Sequence, residues 1–170
     1  MKSIVVYFSR ADENYFNGTI QNISVGNTEI IAHMISKELD CDEYKMIPIQ
    51  PYSKSYNECI SQAQEDLKRD ARPELKVYPE SLDEYDSIYL GYPNYWGTMP
   101  MCVCTFLEHF DLKNKRIYPF CTHEGSGFGQ SLNDLKKICP KSEIMNGLSI
   151  HGADAKKSES KVIDWLKGGN

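Results

Sequence analysis

The sequence predicts a doubly wound α/β protein, with a five-stranded parallel sheet between two layers of helices, three layers in all. Three observations carry this. Residues 3–8, 87–92 and 116–121 are short apolar runs rich in β-branched and aromatic residues, the composition of strands buried on both faces. Segments between them repeat apolar residues at three- and four-residue spacing, as amphipathic helices do. Strict alternation of the two patterns implies crossover connections between parallel strands.

Taken in order, the first strand (3–8) ends at Ser9-Arg10, and an irregular segment follows. Residues 27–39 place Ile30, Ile31, Met34 and Ile35 on one helical stripe. Residues 43–49 alternate and include Pro48, which suits an edge strand. A helix over 54–70 carries Tyr56, Ile60, Ala63 and Leu67 on one face, and Arg72-Pro73 breaks it. Pro93 and Asn94 stop the third strand (87–92). Pro100 then opens a helix over 100–110, in the first turn, where its missing N–H costs nothing. The fourth strand (116–121) contains Pro119, which cannot donate to a central ladder, so a bulge or unpaired position is expected there. A short helix (131–138), a fifth strand (142–150) and a helix over about 155–166 bring the chain to Gly168-Gly169.

A chain of 170 residues is long enough for one domain with a sizeable core, spanning 1–170. Its charge of −5, with no basic stripe, argues against nucleic acid as a partner. The apolar run at the N-terminus is too short for a signal peptide or a membrane span, so a cytoplasmic protein without membrane insertion is expected. Six cysteines without a C-x-x-C pair read as reduced thiols. Cys102 and Cys104 lie two apart in a helical pattern and cannot share a face, so packing rather than metal is their role.

The chemistry lies in the loops at the strands' carboxyl ends, where such sheets bind ligands. After the first strand come Ser9 and Arg10, an insert over 11–25 containing Asn17-Gly18, and then Gly26-Asn27-Thr28 at a helix N-terminus. Unpaired N–H groups there favour an anion. Gly26 permits close approach, while Ser9, Asn27 and Thr28 offer hydroxyl and amide donors. Arg10 either adds a charge-assisted bond or reaches solvent, and Asn27 alternatively caps the helix. No Gly-Lys-Thr is present, which argues against nucleotide hydrolysis.

The second loop, Pro93-Asn94-Tyr95-Trp96-Gly97, holds two adjacent aromatics, which either tuck into the core or rest on a flat ligand. Gly97 has no Cβ, so its peptide is free to turn a carbonyl toward such a ligand. The third loop, Thr122-His123-Glu124-Gly125-Ser126-Gly127, joins backbone donors to an imidazole and a single carboxylate, whose charge His123 could offset when protonated. It is neither a Gly-x-Ser-x-Gly elbow nor a His-Glu-x-x-His zinc motif. Together the loops suit a phosphate, a flat aromatic face and the polar edge of a ring. Flavin mononucleotide (FMN) has all three.

Over nearly its full length the chain resembles the flavodoxin-like family, and within it the short bacterial flavodoxins. Four motifs carry the resemblance: Tyr7-Phe8-Ser9-Arg10, Gly26-Asn27-Thr28, the stretch from Gly91 to Pro100, and that from Pro119 to Gly127. It implies strand order 2-1-3-4-5, which the flavodoxin fold exemplifies, and noncovalent FMN. It further implies that Ser9, Asn27 and Thr28 hold the phosphate, that Tyr95 and Trp96 flank the isoalloxazine, and that the His123 loop meets the pyrimidine edge. The 11–25 insert departs from the compact phosphate loop of the family, and −5 is less acidic than its dedicated carriers. A phosphoacceptor receiver domain shares the topology but needs carboxylates where Ser9-Arg10 and Pro93 stand. The expected function is electron transfer with redox partner proteins or a small-molecule acceptor. The alternatives are an NAD(P)H-dependent two-electron quinone reductase and a plain FMN-binding module. No side chain is expected to act as a catalytic acid or base, because the flavin supplies the electron chemistry.

Overall fold

A computed structural model describes residues 1–168, so Gly169 and Asn170 lie outside the described residues. Strand β1 (Ser3–Tyr7) runs into a hairpin, β2 (Asp12–Phe16) and β3 (Thr19–Ile23), before α1 (Asn27–Leu39) leads to β4 (Asp42–Lys45). Next come α2 (Tyr56–Lys68), β5 (Ser87–Pro93), α3 (Met101–His109), β6 (Arg116–His123) and α4 (Ser131–Ile138). The chain closes with β7 (Glu143–Ile144), β8 (Leu148–His151), a 3-10 helix (Gly152–Lys157) and α5 (Glu159–Leu166).

The sheet order is β4-β1-β5-β6-β7, with β8 also on β6, and every pair is parallel. The sheet thus has six strands where five are predicted, and the numbering departs from 2-1-3-4-5 for two reasons. The insert is not irregular but a separate antiparallel hairpin, which adds two strands to the count. Its turn is Asn17-Gly18, both at positive φ, the pairing a two-residue hairpin turn requires. The predicted fifth strand is the second departure, being broken into β7 and β8.

Pro119 explains that break. Residue 117 presents its carbonyl to the outer strand, accepting from Met145 N at 2.8 Å. Alternation then turns the backbone of residue 119 to the same side. With no N–H to offer there, β6 pairs with β7 through residues 116–117 and with β8 only from Phe120 onward. The carbonyl of Asn146 in the gap accepts instead from Trp165 Nε1, at 3.0 Å.

The strands sort their side chains to two faces. Ile4, Val6 and Phe8 of the first segment pack with Met99, Val103, Phe106 and Leu135, beneath α3 and α4. Val5 and Tyr7 pack with Ile31, Ile35, Ile150 and Val162, beneath α1 and α5. Full burial of each such side chain is worth about 1.5–3 kcal/mol, and these two layers fix the strand ends in space. The predicted edge strand stops early, at Lys45, and Pro48 instead bridges antiparallel to Leu75.

Candidate functional site

At the carboxyl end of the sheet, the loops after β1, β5 and β6 enclose a cavity of about 320 Å³ with the hairpin and α2. Of the predicted residues, Asn27, Pro93, Asn94, Tyr95, Trp96, Gly97, Thr122, His123, Glu124 and Ser126 line it. Asn14 and Tyr15 of the hairpin, Tyr56, Cys59, Ile60 and Ala63 of α2, and Gly152 complete the wall. None of this second group is predicted by the sequence motifs. The Asn-Gly turn could have located the hairpin, but no local signal connects α2 to the site.

Trp96 and Gly97, at φ 55° and 83°, form the centre of a tight turn between Tyr95 and Thr98. A bulky residue seldom accepts positive φ, so surrounding bonds must impose it. Asn94 supplies them: its Oδ1 accepts from Gly97 N at 2.9 Å, and its Nδ2 donates to the Gly127 carbonyl at 2.8 Å. The turn throws the indole onto α2, where Nε1 donates to the Ile60 carbonyl at 2.7 Å and the ring stays 49% exposed. Tyr56 lies one helical turn away from Ile60 and packs on Tyr15 with centroids 5.7 Å apart. Trp96, Tyr56 and Tyr15 therefore make an aromatic wall.

Two predicted placements need correction. Tyr95 does not stand opposite Trp96; its ring packs edge-on against Phe8 and Tyr52, each at about 6 Å, and its hydroxyl meets Cys59 Sγ at 3.8 Å. Burial holds that phenol far above its ordinary pKa. Gly97 does not hold its carbonyl free, because that oxygen accepts from Gln130 N at 2.6 Å, just before α4.

Facing the aromatic wall is the third loop, where Gly125 and Gly127 both take positive φ. Gly125 N donates to His123 Nδ1 at 2.9 Å, which leaves Nε2 as the ring's donor. Burial and the nearby His151 lower the His123 pKa from its usual 6.5, so the ring is neutral at pH 7. The imidazole beside Glu124 is that of His151: its Nε2 lies 3.6 Å from Glu124 Oε2. Burial raises the Glu124 pKa above the ordinary carboxylate value, with His151 and the Asn17 N–H opposing.

At the N-terminus of α1, Ser9 Oγ accepts from Glu29 N at 3.1 Å. Gly26 is held close: a Cβ there would lie 2.1 Å from Ser9 Oγ and 2.7 Å from the Arg10 carbonyl. Gly26 is the N-cap residue of α1, and Ser9 from β1's end supplies the side-chain oxygen to its first turn, the part that the alternative reading gave to Asn27, which lines the cavity instead. The hydroxyl of Thr28 is buried and shares a 2.7 Å bond with that of Thr122. Arg10 is half-buried and spends its donors on backbone carbonyls. Its guanidinium donates to the carbonyls of Ser53, at 2.7 and 3.1 Å, and of Lys54 and Glu13, tying the hairpin base to the loop before α2. The N–H groups of Asn27 and Thr28 have no hydrogen-bond partner among the described residues.

A slot of about 320 Å³ between three aromatic rings and a polar glycine loop, with free helix N–H groups at one end, fits a flat ring bearing an anionic tail. Fold and slot together define a doubly wound protein of the mononucleotide-binding type. The flavodoxin family model matches residues 18–168, and the chain belongs to that family. Two solved structures of candidate flavoproteins resemble it over almost their whole length. That from Bacteroides eggerthii is 28% identical, with a TM-score of 0.79 over 98% of this chain and 96% of that one. That from Bacteroides uniformis is 27% identical, with a TM-score of 0.78 over 98% and 97%. A flavoprotein from Lactobacillus acidophilus, solved in complex with FMN, shares the fold at 16% identity, with a TM-score of 0.68 over 97% and 98%. A comparison with curated proteins finds no match. No helix is long and apolar enough to cross a membrane, and no group of His, Cys, Asp and Glu suited to a metal ion occurs among the described residues.

Proposed function

We propose that the protein binds one FMN in the slot and serves as an electron carrier between redox partner proteins, or toward a small-molecule acceptor. The observation that carries this is the juxtaposition of the aromatic wall, the glycine loop and the free N–H groups of α1 around one cavity. FMN, when bound, supplies one- or two-electron redox chemistry. The chain's own residues supply placement. Asn27 and the N–H groups of Asn27 and Thr28 receive the phosphate. Trp96 and Tyr56 present ring faces that exclude water from one side of the isoalloxazine, and Asn94 holds Trp96 in its strained turn. Thr122, His123, Glu124, Ser126 and the loop between Gly125 and Gly127 meet the polar edge. Pro93 and Gly97 frame the bottom of the slot, and Ser9, Arg10 and Gly26 support it from behind. All six cysteines are free thiols, which supports the cytoplasm as the location.

The half-exposed face of Trp96 supports a second reading, a two-electron reductase that admits NAD(P)H to the flavin. Rapid anaerobic mixing of the FMN-loaded protein with NADPH separates the two. A carrier stays oxidised until a separate reductase is added, whereas direct bleaching of the flavin on mixing establishes the reductase.

A further inference from the structure

The hairpin carries no charge beyond Glu13. No residue from 14 to 28 is charged, in a chain where 25% of residues are. Yet β3 is exposed along most of its length, and Ile20 keeps 44% of its surface in solvent. The outer edge of β2 is closed: Glu13 N donates to the Lys54 carbonyl at 3.2 Å, and the Glu13 carboxylate accepts from Tyr56 N at 2.8 Å. The outer edge of β3 is open, and no backbone bond ties residues 19–25 to anything beyond β2 among the described residues. Residues flanking a two-residue turn exchange both backbone bonds, and bonding then alternates along the strands. Thr19, Gln21 and Ile23 therefore bond inward to β2, while Ile20 and Asn22 turn their N–H and C=O groups outward. Proteins commonly blunt such an edge with charge. Strand β4, outermost in the main sheet, carries Asp42, Glu43 and Lys45, whereas β3 has no charged residue.

We propose that β3 is a docking edge for a second copy of this chain, the two hairpins joining as a four-stranded antiparallel sheet. The edge is self-complementary in register and in charge. With Gln21 on a two-fold axis, Ile20 of each copy faces Asn22 of the other, and the outward groups of these pairs form four main-chain hydrogen bonds. A two-fold also brings each side chain close to its own equivalent, where like charges would oppose the pairing. A strand without charge meets no such penalty. An acidic or basic peptide would find no opposite charge there, which favours the identical strand. Asn14 and Tyr15 of the same hairpin line the slot, so pairing braces one of its walls in each copy. A five-residue strand buries less than the ~1,200 Å² of a standard interface, and the dimer is accordingly a transient one.

Sedimentation velocity over roughly 5–500 µM protein, the range of weak association, tests the pairing. Wild type is expected to shift from monomer toward dimer as concentration rises. Gln21→Glu and Gln21→Lys change an exposed side chain, and each is expected to weaken association about 3- to 10-fold, because like charges then meet on the axis. An equimolar mixture of the two variants should recover the dimer, since opposite charges then face each other. Residue-resolved amide exchange supplies a second measurement that needs no variant. Exchange at Ile20 and Asn22 should slow as wild-type concentration rises, while Gln21, bonded within the hairpin, should not change. A monomer at every concentration overturns the proposal, as does unchanged exchange at Ile20 and Asn22. A dimer that both variants leave intact would lie on another face, and a mixture that fails to recover would assign the edge to a strand of different sequence; either result overturns it too. Nothing in the pairing depends on the flavin, so the outcome stands apart from the FMN reading.

Discussion

Thr28 shows how far a residue's role depends on its neighbour. Its hydroxyl and that of Thr122 satisfy one another in a fully buried bond between α1 and β6. Thr28→Val leaves Thr122 unpaired, and a buried unsatisfied group costs about 1–3 kcal/mol. Urea unfolding should register that loss, while the preference for FMN over riboflavin stays, because the backbone N–H groups remain. Loss of that preference would put the hydroxyl back on the phosphate. His123 makes a residue-scale statement about pH. The unfolded chain takes up its proton near 6.5 and the folded chain only at lower pH, so folding opposes protonation. Stability is thus lost as pH falls below 6.5 toward the folded pKa. His123→Gln should flatten that decline in a comparison of melting temperatures at several pH values, and an identical slope in both proteins would exclude it.

The hairpin is the element that most separates this chain from its motif-based reading. Arg10 binds it through a fork of donors on three carbonyls, a geometry that lysine's single ammonium cannot reproduce. Arg10→Lys and Arg10→Ala should therefore both increase proteolytic cutting near Asn17-Gly18, with little difference between them. Full rescue by lysine would mean that charge alone matters. Strands and helices were legible because their signals are local: a run of apolar residues, a stripe, a proline at a first turn. Pro119 was legible as an interruption, since one missing donor has one consequence, and the gap between β7 and β8 is where it falls. The hairpin was readable from Asn17-Gly18 between alternating strands but lacks a hydrophobic run. The places of Tyr56, Cys59 and Gly152 were not readable, since they depend on crossovers that bring distant segments together. The inward turn of Tyr95 was equally hidden, because the choice between core and ligand for two adjacent aromatics is made by Phe8, Tyr52 and Ile60.

At the scale of the molecule, two packed layers bring four strand ends into one plane, and the loops that follow them need only short reach to form a slot. The modest charge of −5 gives the molecule no strong overall field. What the whole chain is built to hold can be read from the emission of FMN titrated with the protein. A flavin lying against Trp96 loses fluorescence to the electron-rich indole, and such stacking adds about 0.5–1.5 kcal/mol beyond burial. One equivalent of protein should quench the emission, and Trp96→Leu should still bind while the bound flavin brightens. FMN that keeps its free emission at saturating protein, or that stays equally dim in Trp96→Leu, would contradict the placement of the ring on this wall.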